Sequence, residues 1–166
     1  MTINQEFPVL DGIAPSWADI IVRVSPAGAP LIEMADIKSI NTGTSVEVGE
    51  QRGASGGRVL KRTTGAAKYE ASMTLYYAGF VKLLRGLKDL APVRGNQRAI
   101  SLVHFGLQIQ HTPPGSVEIF DMRIKGCRFL GRALNPAEGV DAQTVDVALN
   151  PLEIADMVDG VECILL

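Results

Sequence analysis

Residues 49–77 read GEQRGASGGRVLKRTTGAAKYEASMTLYY. The second half alternates: Tyr69, Ala71, Met73 and Leu75 fall on one face of a strand, Glu70, Ser72, Thr74 and Tyr76 on the other. The first half is glycine-rich and basic and shows no period. A long loop over about residues 49–66 is therefore expected to lead into the strand. Directly afterwards Phe80, Leu83, Leu84, Leu87 and Leu90 recur at helical spacing, with Lys82, Arg85, Lys88 and Asp89 opposite. This predicts a helix over about residues 79–90, weakened by Gly86 and stopped by Pro92. A helix with one apolar stripe, next to an alternating strand, packs on a sheet or across an open barrel end.

Working outward, Trp17–Val24 is rich in β-branched residues and reads as a strand, closed by the turn SPAGAP. A second strand covers Leu31–Ile40, bent at Ala35-Asp36, and Thr44–Val48 is read as its continuation. Ala99–His111 places Val103, Phe105, Leu107 and Ile109 on one face, with His104, Gln108 and Gln110 on the other. The turn TPPGS at Thr112–Ser116 leads to a return strand, Val117–Leu130, with Gly126 as a bulge. Asp141–Leu149 turns Val145, Val147 and Leu149 inward. Asn150–Glu153 opens either a short helix or a proline bulge. The second reading continues to a turn at Asp159-Gly160 and a last strand, Val161–Leu165. The sum is one domain over residues 1–166: mainly β, an antiparallel sandwich or half-barrel with one flanking helix and a long loop.

Apolar residues make up 46% of the 166, high for a monomer of this size, so apolar surface buried against other copies is expected. No apolar run approaches the roughly 20 residues that cross a bilayer. The opening MTINQEFPVLDG has neither the basic nor the apolar segment of a signal peptide, so folding in a cytoplasm is expected. Cys127 and Cys163 sit among apolar residues and read as two buried thiols.

Charge is unevenly spread. From Ala133 onward there is no Lys or Arg but seven acids: Glu138, Asp141, Asp146, Glu153, Asp156, Asp159 and Glu162. Arg52, Arg58, Lys61, Arg62 and Lys68 crowd the glycine-rich stretch. Opposite clusters on one chain suit head-to-tail contact between copies.

Catalytic and cofactor patterns are missing. GASGGR is not GxxxxGK[ST], no GxGxxG occurs, and a strand follows the glycines where a phosphate cradle needs a helix. His104 and His111 are seven apart on a strand and point to opposite faces, a surface and a turn histidine, with no metal site. No GxSxG elbow is present. Aromatics are 5% of the chain, too few to stack nucleic-acid bases. No cofactor and no enzymatic activity are expected.

The order of elements resembles a bacteriophage tail tube protein. GIAPSWADIIVRV leads into LIEMADIKSI; the glycine-rich stretch closes in KRTTGAAKYEASMTLYY; the helix GFVKLLRGLKDL follows; then come two long strands with KGCRFLG and the late strand TVDVAL. The type VI secretion tube protein shares this plan. The resemblance implies six copies closing into a ring whose inner sheets join as a barrel, and rings stacking into a hollow tube in a virion tail. It also implies contacts with a tape-measure protein, with baseplate and terminator proteins and, in contractile particles, with a sheath. DNA would pass through without specific binding, and no membrane is involved. On this reading Arg52, Arg58, Lys61 and Arg62 belong to the inter-subunit loop, and Glu138, Asp141, Asp156 and Asp159 to its acidic partner surface. A conduit should not grip DNA. Glu70, Glu118, Asp121 and Asp146 are accordingly candidates for the lumen, while Arg123 and Lys125 are awkward there. The rival readings are a type VI-like or contractile-particle tube subunit, a soluble β-barrel binding module, and an enzyme with an unrecognised site.

Overall fold

The computed structural model describes residues 20–54, 57, 59–111, 119–136, 138 and 142–164. The turn TPPGS and the side chains of Arg58, Glu118 and Asp141 lie outside these residues.

In chain order the strands are β1 (Ile20–Pro26), β2 (Ile32–Met34), β3 (Ile37–Arg52) and β4 (Val59–Tyr76), then the helix α1 (Tyr77–Leu87). A short hairpin, β5 (Val93–Arg94) and β6 (Gln97–Arg98), precedes a 3-10 turn at Ile100–Leu102. After it come β7 (Phe105–His111), β8 (Phe120–Asn135), β9 (Thr144–Asn150), β10 (Glu153–Val158) and β11 (Val161–Cys163).

The long strand β8 builds the sandwich by serving two sheets. Its first half pairs with β7 on one edge and with β10 on the other, in registers such as Ile109↔Met122 and Ile154↔Ile124. Its second half pairs with β9, as in Ala133↔Asp146. One layer is therefore β2-β1-β7-β8-β10-β11 and the other β3-β4-β9-β8, all antiparallel. The change of layer falls at Gly126, whose φ of 62° suits the extra residue that shifts the β7–β8 register. Alternation delivers the core: Val22, Val24, Phe105, Leu107 and Ile124 from one sheet meet Met73, Leu75, Val145, Val147 and Leu149 from the other.

The helix closes one end of this core with Phe80, Leu83 and Leu87, all buried. It starts at Tyr77 because tertiary partners take its first backbone N–H groups. Tyr76 N donates to Asp36 O at 3.0 Å and Tyr77 N to Gln143 O at 3.2 Å. Ala35-Asp36 is the bend between β2 and β3, as the sequence implied. Ahead of β7, Ala99 to His104 contain the 3-10 turn and not the start of a strand. After Pro151 the strand reading holds: β10 and β11 are joined by Asp159 (φ 50°) and Gly160 (φ 79°), a two-residue turn with both φ positive.

The expected loop at about 49–66 is the main correction. β3 and β4 continue through it in register, with Gly49↔Thr63, Glu50↔Arg62 and Gln51↔Lys61, and the turn lies between Arg52 and Val59. Cross-strand hydrogen bonding imposes the extended backbone, and this leaves no trace as apolar alternation because neither face of the segment is buried. Two smaller corrections concern single residues. Cys163 is exposed, on the edge strand β11, whereas Cys127 is buried. His111 is buried at the end of β7 rather than lying in a turn.

Candidate assembly surfaces

Beyond Ala71↔Leu149, β4 loses β9 as a neighbour, and among the described residues β3 has no partner but β4. Residues 43–52 and 59–70 thus form a two-stranded arm about 30 Å long. Its described side chains are all exposed or half-buried, including Val48 at 58% and Val59 at 40%. An isolated two-stranded ribbon is at best marginally stable in water. This one also carries bare backbone donors and acceptors on both outer edges.

Of the basic residues expected in the inter-subunit loop, Arg52, Lys61 and Arg62 lie on the arm, and two of these have an acidic partner. Arg52 and Arg62 both approach Glu50, at 3.2 and 3.8 Å. At the arm's base Lys68 meets Glu70 at 2.7 Å. This pair raises the Lys68 pKa and lowers that of Glu70. All are exposed, so solvent screens each pair, which orders side chains more than it stabilises the fold. Lys61 makes no ion pair among the described residues.

The acidic segment divides. Glu153 and Glu162 both bind Lys125, and Glu162 also lies 3.8 Å from Arg123. Lys125 is raised by Glu162 and Glu153, and Glu162 is lowered chiefly by Lys125. Asp146 accepts from Thr74 Oγ1 and from Asn135 Nδ2, both at 2.7 Å. Glu138, Asp156 and Asp159 are exposed and form no ion pair among the described residues, so these three remain available to a partner.

The lumen candidates do not share a face. Asp121 lies on the outer side of the β7–β8–β10 layer, where both its oxygens accept from Gln108 Nε2 and Arg123 stands 3.6 Å away. Glu70 and Asp146 lie on the outer side of the opposite layer. The two faces differ in chemistry. The first is a charged network: Arg23 with Glu33 and Gln110, Asp121 with Arg123, Lys125 with Glu153 and Glu162. The second is small and nearly neutral. Its cross-strand rows are Ser39–Thr74–Asp146–Ala133 and Asn41–Ser72–Ala148–Gly131. Sequence could not assign these faces, because both alternate equally well with the core.

A third surface was not foreseen. Phe80, Leu84, Arg98, Ile100, Phe129 and Leu130 line a groove of about 360 Å³ between α1 and the second half of β8. Leu130 is 72% exposed, and the Arg132 guanidinium lies 5.7 Å from the centre of the Phe80 ring. Among the described residues the β8 edge here has no strand partner beyond β9.

Neither a protein-family model nor a curated protein matches this chain in sequence. Solved structures do match in shape. The sheath/tube terminator of an extracellular contractile injection system, PVC, in its extended state, is 13% identical, with a TM-score of 0.65 over 90% of this chain and 100% of that one. The tube-terminating cap of the anti-feeding prophage is 11% identical, with a TM-score of 0.64 over 95% of this chain and 99% of that one. The SPP1 tail tube is 9% identical, with a TM-score of 0.61 over 88% of this chain and 81% of that one. At these identities the likeness is one of fold, and the fold of this chain is that of tail-tube subunits.

Proposed function

We propose that this chain is a structural, non-enzymatic subunit of a tail tube. Six copies close into a ring and rings stack into a hollow conduit that delivers DNA. The observation that carries the reading is the arm: a ribbon about 30 Å long that its own body covers only at the base, where Tyr69 packs against the core, on a fold shared with tube proteins. A neighbouring copy would cover the rest. Joining the open edges of β3 and of the second half of β8 to other copies removes pairing sites that otherwise drive aggregation.

The nearly neutral outer face of β3-β4-β9-β8 lines the bore in this reading. Its central rows of Ser, Thr, Asn, Ala and Gly carry only the tethered Asp146, and Lys68, the cation beyond them, is held by Glu70, so DNA phosphates meet little free positive charge and transit is not slowed. Glu70 and Asp146 then face the lumen, while Asp121, Arg123 and Lys125 lie on the far layer. That removes the difficulty of Arg123 and Lys125 in the bore. The chain is made in the host cytoplasm and ends in the virion tail, against a tape-measure protein inside and terminator and baseplate proteins at its ends. A sheath is a further partner if the particle contracts; the PVC sheath-tube complex, with a TM-score of 0.61, gives that variant its support.

Electron microscopy of purified protein, before and after priming with tail-tip material, tests the proposal. Hollow tubes of stacked six-fold rings are the expected result. A chain that sediments as a monomer under every priming condition would sink it.

A further inference from the structure

The groove between α1 and β8 has a complementary surface at the other end of the same strand. Met157 pairs with Asp121, so the β10–β11 turn stands beside the start of β8. That turn, Val158-Asp159-Gly160-Val161, exposes its two valines at 53% and 63%, and Phe120 on the adjoining strand is 47% exposed. Asp159 projects from its tip and Asp156 lies just behind, both exposed and without ion pairs among the described residues. An apolar knob with an acidic tip results.

The groove is its chemical opposite. Its floor is apolar, and Arg98 and Arg132 line it. Arg128 stands beside it, donating to Ser101 O at 3.2 Å, and none of the three arginines pairs with a carboxylate among the described residues. Both sites carry apolar surface that water disfavours, and charges that form no ion pair among the described residues. Knob and groove are separated by the run of β8 from Asp121 to Leu130, about 30 Å of strand, so one copy cannot seat its own turn.

We propose that the β10–β11 turn of one copy docks in the α1–β8 groove of another, with Asp159 meeting Arg132 and Arg98, and Val158 and Val161 covering Leu130 and Phe129. The contact joins two different patches and is therefore heterologous, repeating until a ring closes or a filament extends. It is distinct from the arm contact and rests on the tube-subunit reading.

The test is a cross-link within the polymer. Val161→Cys and Leu130→Cys, both at exposed positions, are introduced together with Cys163→Ser to remove the one exposed native thiol. Cys127 is buried, its thiol pushed up to about 12 by desolvation, and does not compete. Oxidation after priming is expected to give a ladder of disulfide-linked multimers that neither single-cysteine variant gives. Polymers that run as monomers on a denaturing gel overturn the docking and leave the tube reading intact. Failure of the unaltered chain to polymerise overturns both. Where the cysteines themselves stop assembly, a charge exchange decides. Asp159→Arg and Arg132→Asp, each checked for an unaltered melting profile, should each lower polymer yield about tenfold, and the two combined in one chain should restore it. Full yield from either single variant, or no recovery in the pair, overturns the proposal.

Discussion

Gly49 and Thr63 face each other across the arm, and the Thr63 hydroxyl lies 2.5 Å from where a Cβ on Gly49 would sit. The two residues fit because one has no side chain. Gly49→Val must displace that hydroxyl and break its 3.4 Å hydrogen bond to Gly49 O, which should loosen the arm there while leaving the sandwich intact. Amide exchange should quicken over residues 43–52 and 59–70, with no change in the melting temperature of the body and a marked loss of polymer.

Replacing Arg52–Arg62 by Asn-Gly shortens the arm without entering the core, because none of the described side chains of that span packs among the buried ones. The variant is expected to fold with unchanged near-ultraviolet circular dichroism and to form no tubes. Tubes of normal length from this shortened chain would show that the tip has no part in assembly.

Stability of the single copy resides in the sandwich and its helix. Leu83 is fully buried between the sheets and α1, so Leu83→Ala should cost about 2–5 kcal/mol in urea unfolding. Gly79 is a second sensitive point. A Cβ there would stand 2.7 Å from both the Cβ and the backbone oxygen of Asp36, at the bend whose carbonyl receives Tyr76 N. Gly79→Ala should therefore cost about 1–3 kcal/mol despite its higher helix propensity.

The Lys125–Glu162 pair sets a small pH dependence. Glu162 has a lowered pKa in the folded chain, so its contribution is present above the ordinary carboxylate range and fades as pH falls through the lowered value. Lys125 is raised, so its contribution holds below the ordinary lysine range and is lost as pH rises through the raised value. Both side chains still reach solvent, which screens the effect. Melting curves of Lys125→Met against the unaltered chain should differ slightly at neutral pH and converge at about pH 2, and added salt should narrow the difference.

The neutral bore also makes a prediction. Ser72→Lys with Ala148→Lys places two cations in one cross-strand row of the face assigned to the lumen. Tubes should still form but should retain DNA at low salt and release it as salt rises. Equal retention by unaltered tubes would count against this face as the lining.

Alternation and helical spacing determined much of this protein. The Tyr69–Leu75 strand, the Phe80–Leu87 stripe, the β7 and β9 core faces and the Gly126 bulge could all be read from the chain, because each is a local pattern of burial. Proximity decided the rest. The arm's pairing, the split of Asp121 from Glu70 and Asp146, the exposure of Cys163 and the α1–β8 groove depend on which strands become neighbours. Backbone hydrogen bonds between distant segments set those neighbours, and every residue carries the same backbone groups, so side-chain periodicity records nothing of them.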